Sequence, residues 1–391
     1  MKNKTMEMLV LGDIILGADA PKYMAGIKDR LMAADFVAGQ LEVPYSDCAQ
    51  ELAGLDRETK NLKPLAGCMD LVTLAGNHIY DAKETGVKET IAWLKAHGIL
   101  YAGGGMNTED ARKPAVAVCK DVKIGFLNYN CTGPSGMTAL KDKAGCAALD
   151  IITHYDLGNV ANPGGPPEHI YTFPKWESLK EMCRDIAGLR TECDVLCVYF
   201  HKGIVHKPVQ LADYEQIVSY AAIEAGADII YSSHSHLLHG IEIYKGKTIY
   251  HGLGNGVTWV PSLRPDYKFS NRQKSNELFD PQTWAKRRIE RFGFVPDPSY
   301  PTYPFHPEAV YTIIAKCLIT DKQIIETRCI PAIVGQDGIT RLVSKENGGQ
   351  QVFDYLAMIT KQAGLNACYG WDGDEIVIFY EKENGNATCK S

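Results

Sequence analysis

Several large protein classes are excluded by what this 391-residue chain does not contain. No apolar run approaches the ~18 residues that a membrane-spanning helix needs. There is no long Lys/Arg run, and the formal net charge is −6, so no basic field exists to displace counterions from a nucleic acid. The 12 cysteines include no CxxC pair. Cys193 and Cys197 stand four apart in an apolar stretch, where a zinc ribbon does not place its ligands. Scattered apolar cysteines read as small core residues in a reducing compartment, so a cytoplasmic location is expected. Met1-Lys2-Asn3-Lys4 has the charge of a signal peptide's first segment, but Glu7 and Asp13 break the apolar stretch behind it, which reads as a strand. The expectation is a protein without a membrane anchor in this chain, without internal repeats and without low-complexity tracts.

What remains is an ordinary globular composition, 45% hydrophobic and 23% charged, over a length that suits one large domain or two smaller ones. Apolar runs alternate with helical periodicity. Met8–Gly12 leads to Asp13, Phe36–Leu41 to Glu42, and Asp70–Ala75 to Gly76-Asn77-His78. Glu84–His97 carries Val87, Ile91 and Leu94 on one stripe, with Gly98 after its end, and predicts a helix. Ala115–Val118 with Lys123–Leu127, and Ile241–Tyr244 with Thr248–His251, predict hairpins. Asp194–Phe200 reads as a buried strand ending at His201, Gln210–Ala225 as a helix closed by Gly226, and Ile229–Tyr231 as the strand before Ser232-Ser233-His234-Ser235-His236. The repeated order of strand, polar residue and helix is that of an α/β protein.

In open α/β sheets, ligands bind beyond the carboxyl ends of the strands. Asp13, Glu42, Asn77 with His78, His201, and His234 with His236 all stand at such ends. His234 and His236, two apart at a strand end, point to one side. A single histidine there is most simply a structural residue, but this many polar groups in one register point to a site. Asp13 is the strongest candidate after the histidine pair, because an acid closing a buried strand is costly without a partner. Lys202 adjoins His201 and reads either as a solvated loop lysine or as a binder of a carboxylate or phosphate. His206 and His251 read first as structural, with His206, Lys202 and Asn255 kept as substrate-binding candidates. His97, His154, His169, His239 and His306 receive no role.

The motifs Gly12-Asp13, Leu41-Glu42-Val43-Pro44, Gly76-Asn77-His78-Ile79-Tyr80-Asp81, Gly226-Ala227-Asp228, His234-Ser235-His236, Gly240-Ile241-Glu242, Tyr244-Lys245-Gly246-Lys247 and Leu253-Gly254-Asn255 together resemble the CapA family of poly-γ-glutamate capsule-synthesis proteins. That family is related in fold to calcineurin-like metallophosphoesterases. The resemblance runs from Leu9 to Val257; each motif is short, and their order carries the specificity. It implies a four-layer α/β/β/α sandwich with two mixed β-sheets, metallophosphoesterase-like. It also implies a metal set of Asp13, Glu42, Asn77, His201, His234 and His236, with His78 as acid or electrostatic partner of the leaving group and Asp81 orienting it. The implied domain plan is a core over 1–257, an insertion over 258–309 that is either a lid or a packed excursion, and strands and a helix over 310–391 completing the same domain.

These residue types fit that chemistry. Two divalent ions ~3.5–4 Å apart can activate water and stabilise both oxygens of an in-line displacement. Mixed nitrogen and oxygen ligands suit manganese, zinc or iron better than calcium. The chain departs from the relatives at Ile15, where they usually carry a histidine after the first aspartate, and at Glu42, where they carry the shorter acid. Ser233 stands where many members have a further histidine, and Lys202 replaces the usual Trp. One ion, two, or none is compatible with the remaining set. Three functional readings follow. The first is a metal-dependent, phosphoesterase-like hydrolase in capsule or poly-γ-glutamate synthesis, acting on an acidic polymer, a peptide or a phosphorylated small molecule. The second is a metal-independent acid–base enzyme, a peptide epimerase or isopeptide-bond enzyme, in the same pocket. The third is a non-catalytic assembly subunit.

Overall fold

The computed structural model describes residues 5–158, 167–263, 286 and 289–380. Strand Met6–Ile15 is buried on both faces, which is why it reads as one apolar run. Met6, Met8 and Val10 point to one side of its sheet, and Leu9 and Leu11 to the other. Phe36–Leu41, Leu71–Thr73 and Leu100–Ala102 follow it in parallel. On its other side Tyr311–Thr320 and Gln323–Val334 run antiparallel, and then Glu375–Phe379 and Cys368–Asp372 complete the sheet. The C-terminal strands thus pair directly with the N-terminal one, and the two parts share one sheet.

A second mixed sheet has the order Leu238–Tyr244, Lys247–Leu253, Ile229–His234, Val195–Lys202, Val122–Asn130 and Ala115–Cys119. Its three inner pairings are parallel and its two outer ones antiparallel. Both anticipated hairpins form these outer pairs.

Helices Ala20–Met32 and Lys83–Ala96 cover the outer face of the first sheet with Met24, Ile27, Leu31, Val87, Ile91 and Leu94. Helices Trp176–Arg190 and Asp213–Ala225 cover the outer face of the second with Met182, Ile186, Leu189, Val218 and Ala222. The inner faces meet through Met8, Val10, Phe126, Tyr199 and Tyr231, joined by Val352, Leu356 and Ile359 of helix Gln350–Gln362. Each fully buried Leu or Ile side chain contributes roughly 1.5–3 kcal/mol. This is the expected four-layer α/β/β/α sandwich with two mixed sheets.

Of the 258–309 insertion, residues 264–285, 287 and 288 lie outside the described residues. Its later part buries Tyr303, Phe305 and Ala309 against Leu237 and Val334. Residues 381–391, expected to fray, also lie outside the described residues. Every described cysteine is free, and among them only Cys48 is exposed. No described helix is long and apolar enough to cross a membrane.

Candidate functional site

The carboxyl ends of both parallel stretches open at the same end of the sandwich. Strand Met6–Ile15 shifts register there, between Leu11 and Asp13 against one neighbour and between Asp13 and Ile14 against the other. Such irregularities re-aim a side chain. Gly12 is required at this point: a Cβ on it would lie 2.0 Å from the Gly254 carbonyl oxygen. That same carbonyl accepts the Asp13 N–H at 3.1 Å, and the pairing sets Asp13 beside Asn255.

Asp13 is fully buried. Its Oδ1 accepts the Ser233 hydroxyl at 2.5 Å and its Oδ2 the His234 N–H at 3.2 Å. Burial still pushes its carboxyl up to about 7. Glu42 is also fully buried, and neither carboxylate oxygen accepts a hydrogen bond from the described residues. Burial, then the charge of Asp13, raises it well above the usual carboxylate range, against the opposing charge of Arg57. His236 places Nε2 3.5 Å from Glu42 Oε1 and Nδ1 3.5 Å from Asp13 Oδ2. One ligand atom from each of Asp13, Glu42 and His236 lies within 4.8 Å of the others, an arrangement able to hold a metal ion.

The remaining expected ligands adjoin this trio. His201 Nδ1 is 3.9 Å from Asp13 Oδ1. Its Nε2 lies 2.7 Å from Asn77 Oδ1 and 3.1 Å from His234 Nδ1. Burial and the neighbouring histidines hold His201 well below the usual imidazole range, and burial first of all takes His234 down to about 3. Both are therefore neutral near pH 7, the form that ligates a metal. His234 and His236 have φ of 118° and 56°, the first outside the left-handed well. Strain of this kind is stored where surrounding structure over-determines the backbone. His78 Nδ1 meets Asp81 Oδ2 at 2.8 Å, with the imidazole 41% exposed. All six expected ligands and the His78–Asp81 pair thus gather at one end of the sheets.

Two expected substrate contacts are placed elsewhere. Lys202 is neither a solvated loop residue nor at the pocket. The strand continues through it, so the alternation that points His201 to the site turns Lys202 towards helix Asp213–Ala225. Its buried ammonium donates to the Glu215 carbonyl at 2.9 Å, Ser219 Oγ at 3.0 Å and His251 Nδ1 at 3.1 Å. Asn255 does not offer its amide to the pocket either. Its Oδ1 lies 2.9 Å from His236 Nδ1, and its Nδ2 donates to the Tyr303 hydroxyl at 2.7 Å. His206 is buried at the pocket wall, its ring stacked 5.5 Å from that of His236 and edge-on to Phe292 and Phe294. His251 lies between Lys202 and Glu242, 2.9 Å from the latter.

Sequence reasoning missed Arg57. Its charge acts on both Glu42 and Tyr45, and its backbone carbonyl accepts the Ser46 N–H at 2.9 Å. Its Nε is buried without a hydrogen-bond partner among the described residues. Tyr303 was missed as well; the aromatic stretch Tyr300-Pro301-Thr302-Tyr303-Pro304-Phe305 was the only signal. Ile15, at the position of the absent histidine, packs in the same apolar cluster as Trp259.

The chain resembles known proteins in sequence. The capsule biosynthesis protein CapA of Bacillus anthracis is 24% identical over 277 residues, covering 66% of this chain and 60% of that protein. The PGA biosynthesis protein CapA of Bacillus subtilis is 24% identical over 264 residues, covering 63% and 62%. The chain therefore spans about three fifths of the length of these relatives. A solved structure described as a novel phosphatase from Mycoplasma pneumoniae covers 85% of this chain and 94% of its own, with a TM-score of 0.46 and 14% identity. The family described as bacterial capsule synthesis protein PGA_cap matches residues 4–258, which include every expected metal ligand, and the chain belongs to that family.

Proposed function

We propose that Asp13, Glu42 and His236 hold a divalent cation, with Asn77, His201 and His234 beside them as ligands of the same or a second ion. The protein would act with it as a phosphoesterase-type hydrolase on an anionic substrate in poly-γ-glutamate or capsule synthesis. The observation that carries this reading is Glu42, a buried carboxylate whose two oxygens find no donor among the described residues while Asp13 stands beside it. Two buried acids in contact are costly unless a cation or protons compensate them. The donor set of two carboxylates and neutral imidazoles fits manganese, iron or zinc. The chemistry such a cation supplies is activation of water and neutralisation of charge on a phosphoryl or acyl oxygen.

The chain's own residues would do the rest. Asp81 accepts the Nδ1 proton of His78 and fixes the ring, so His78 can deliver a proton to the leaving group from Nε2. Arg57, without an ion-pair partner among the described residues, would bind the substrate's carboxylate or phosphate in a charge-assisted contact. Relatives named for capsule and PGA biosynthesis support an acidic polymer or its precursor as substrate. Location in the cytoplasm belongs to the same proposal and is tested by fractionation of cells.

Two observations favour a second reading. Ile15 supplies no ligand where relatives carry histidine, and the exposed His78–Asp81 pair needs no metal for proton transfer. In that case the pocket performs acid–base chemistry on a peptide or carboxylate. Assays on phosphoesters and on poly-γ-glutamyl peptides, with manganese, with zinc and with chelator, separate the two. Hydrolysis that requires the ion and fails in Glu42→Gln supports the first. Turnover that is indifferent to chelator overturns it.

A further inference from the structure

The hydrogen bonds around His236 can be solved from one end, because the first of them has a single possible direction. The Ala309 carbonyl can only accept, so the Tyr303 hydroxyl 2.6 Å away must donate to it. The Tyr303 oxygen is then the acceptor for Asn255, which must turn its Nδ2 to it at 2.7 Å. That leaves Asn255 Oδ1 facing His236 Nδ1 at 2.9 Å, and a carbonyl oxygen can only accept. His236 Nδ1 therefore carries a hydrogen, and in the neutral ring Nε2 carries none. Reversing the amide would turn its carbonyl oxygen onto a Tyr303 oxygen whose one hydrogen is already given to Ala309, leaving two acceptors 2.7 Å apart with no hydrogen between them.

We propose that Tyr303 and Asn255 are positioning residues that lock neutral His236 in the Nδ1–H tautomer and turn its Nε2 towards the Glu42 carboxylate, so that the two present a ligand pair to a cation. Nε2 of the neutral ring is 3.5 Å from Glu42 Oε1, so an acceptor nitrogen faces a carboxylate that accepts no hydrogen bond among the described residues. Asp13 Oδ2, 3.5 Å from Nδ1, favours the hydrogen on the same nitrogen. Phe305 packs 4.6 Å from the His236 ring and stops it from rotating away. The main chain of Asn255 is held as well, since its backbone carbonyl accepts the Thr312 hydroxyl at 2.8 Å. Tyr303 and Ala309 both come from the described part of the insertion. A supporting hydrogen bond of this kind is typically worth ~10–100-fold in metal affinity.

This inference builds on the proposed cation site, but its first test needs no metal. The full chain is labelled with 15N-histidine, stripped of metal and read at pH 7.5 by long-range nitrogen–proton correlation, with His236→Gln assigning the signal. The expected spectrum has a protonated Nδ1 and a pyridine-type Nε2 at His236. Tyr303→Phe and Asn255→Leu should yield mixed tautomers. In parallel, competition with a chromophoric chelator should show zinc affinity reduced about tenfold or more in Tyr303→Phe. A parent spectrum with hydrogen on Nε2, or a Tyr303→Phe spectrum identical to the parent, overturns the lock; if Asn255→Leu does not fold, Tyr303→Phe decides alone. A locked tautomer in a protein that binds neither zinc nor manganese would refute the cation reading and leave the lock standing.

Discussion

Replacing Lys202 by methionine removes an ammonium that the sequence suggested for anion binding and the structure buries as a fastening. The methionine side chain fits the same space without charge. The change deletes three hydrogen bonds, to the Glu215 carbonyl, Ser219 and His251. It also leaves the Glu215 carboxylate buried without that countercharge; its Oε2 is 3.8 Å from the ammonium and accepts no hydrogen bond among the described residues. Breaking a buried ion pair from one side destabilises by about 3–5 kcal/mol. Burial is the leading influence on both partners, lowering Lys202 and raising Glu215, so mutual attraction does not fully offset desolvation. A neutral pair, Lys202→Met with Glu215→Gln, should therefore recover most of the loss. The amide oxygen that Glu215→Gln introduces can still accept the Ala212 N–H, which the carboxylate now accepts at 2.8 Å. The pH dependence has a definite sign. With its folded pKa raised further in the single variant, Glu215 is least costly when protonated, so the deficit against the parent should widen from pH 5 to pH 8. Urea denaturation followed by circular dichroism at both pH values measures all of this. The reasoning fails if the single variant is as stable as the parent, if the double variant is worse than the single, or if only substrate affinity falls.

Other consequences follow from the same geometry. Burial holds His239 down to about 4 and His251 to about 3, so both favour the neutral form in the fold; stability is complete above the unfolded value near pH 6.5 and should fall by roughly 2 kcal/mol per group at pH 5, as denaturation of His251→Asn against the parent will show. Arg57→Ala should raise KM for an anionic substrate by about tenfold or more, the worth of a charge-assisted hydrogen bond; unaltered KM removes Arg57 from the substrate. Gly12→Ala should cost at least about 1–3 kcal/mol and weaken metal binding together, since its Cβ would strike the Gly254 carbonyl that positions Asp13.

Much of the core was legible because its strands are buried on both faces and read as unbroken apolar runs. Helix Lys83–Ala96 was legible through Val87, Ile91 and Leu94, and the strand-end acids and histidines behind such runs were conspicuous enough to mark the residues that cluster in the structure. Helices Ala20–Met32 and Trp176–Arg190 were not read: basic and acidic residues interrupt their apolar stripes, and packing on the sheets rather than pattern strength forms them. The direction of Lys202 was missed because the strand runs two residues past Phe200, and alternation then reverses the side. Arg57 lies in a stretch of mixed charge with no periodicity, and Tyr303 reaches Asn255 from 48 residues away, a contact that no local pattern encodes.

The central claim is that Asp13, Glu42 and His236 form a cation site. Isothermal titration of manganese or zinc into chelator-stripped protein, with Glu42→Gln beside it, tests that claim most directly. The account predicts saturable binding by the parent and a loss in Glu42→Gln exceeding the ~10–100-fold of a merely supporting group. No binding by the folded parent, or equal binding by Glu42→Gln, would contradict it.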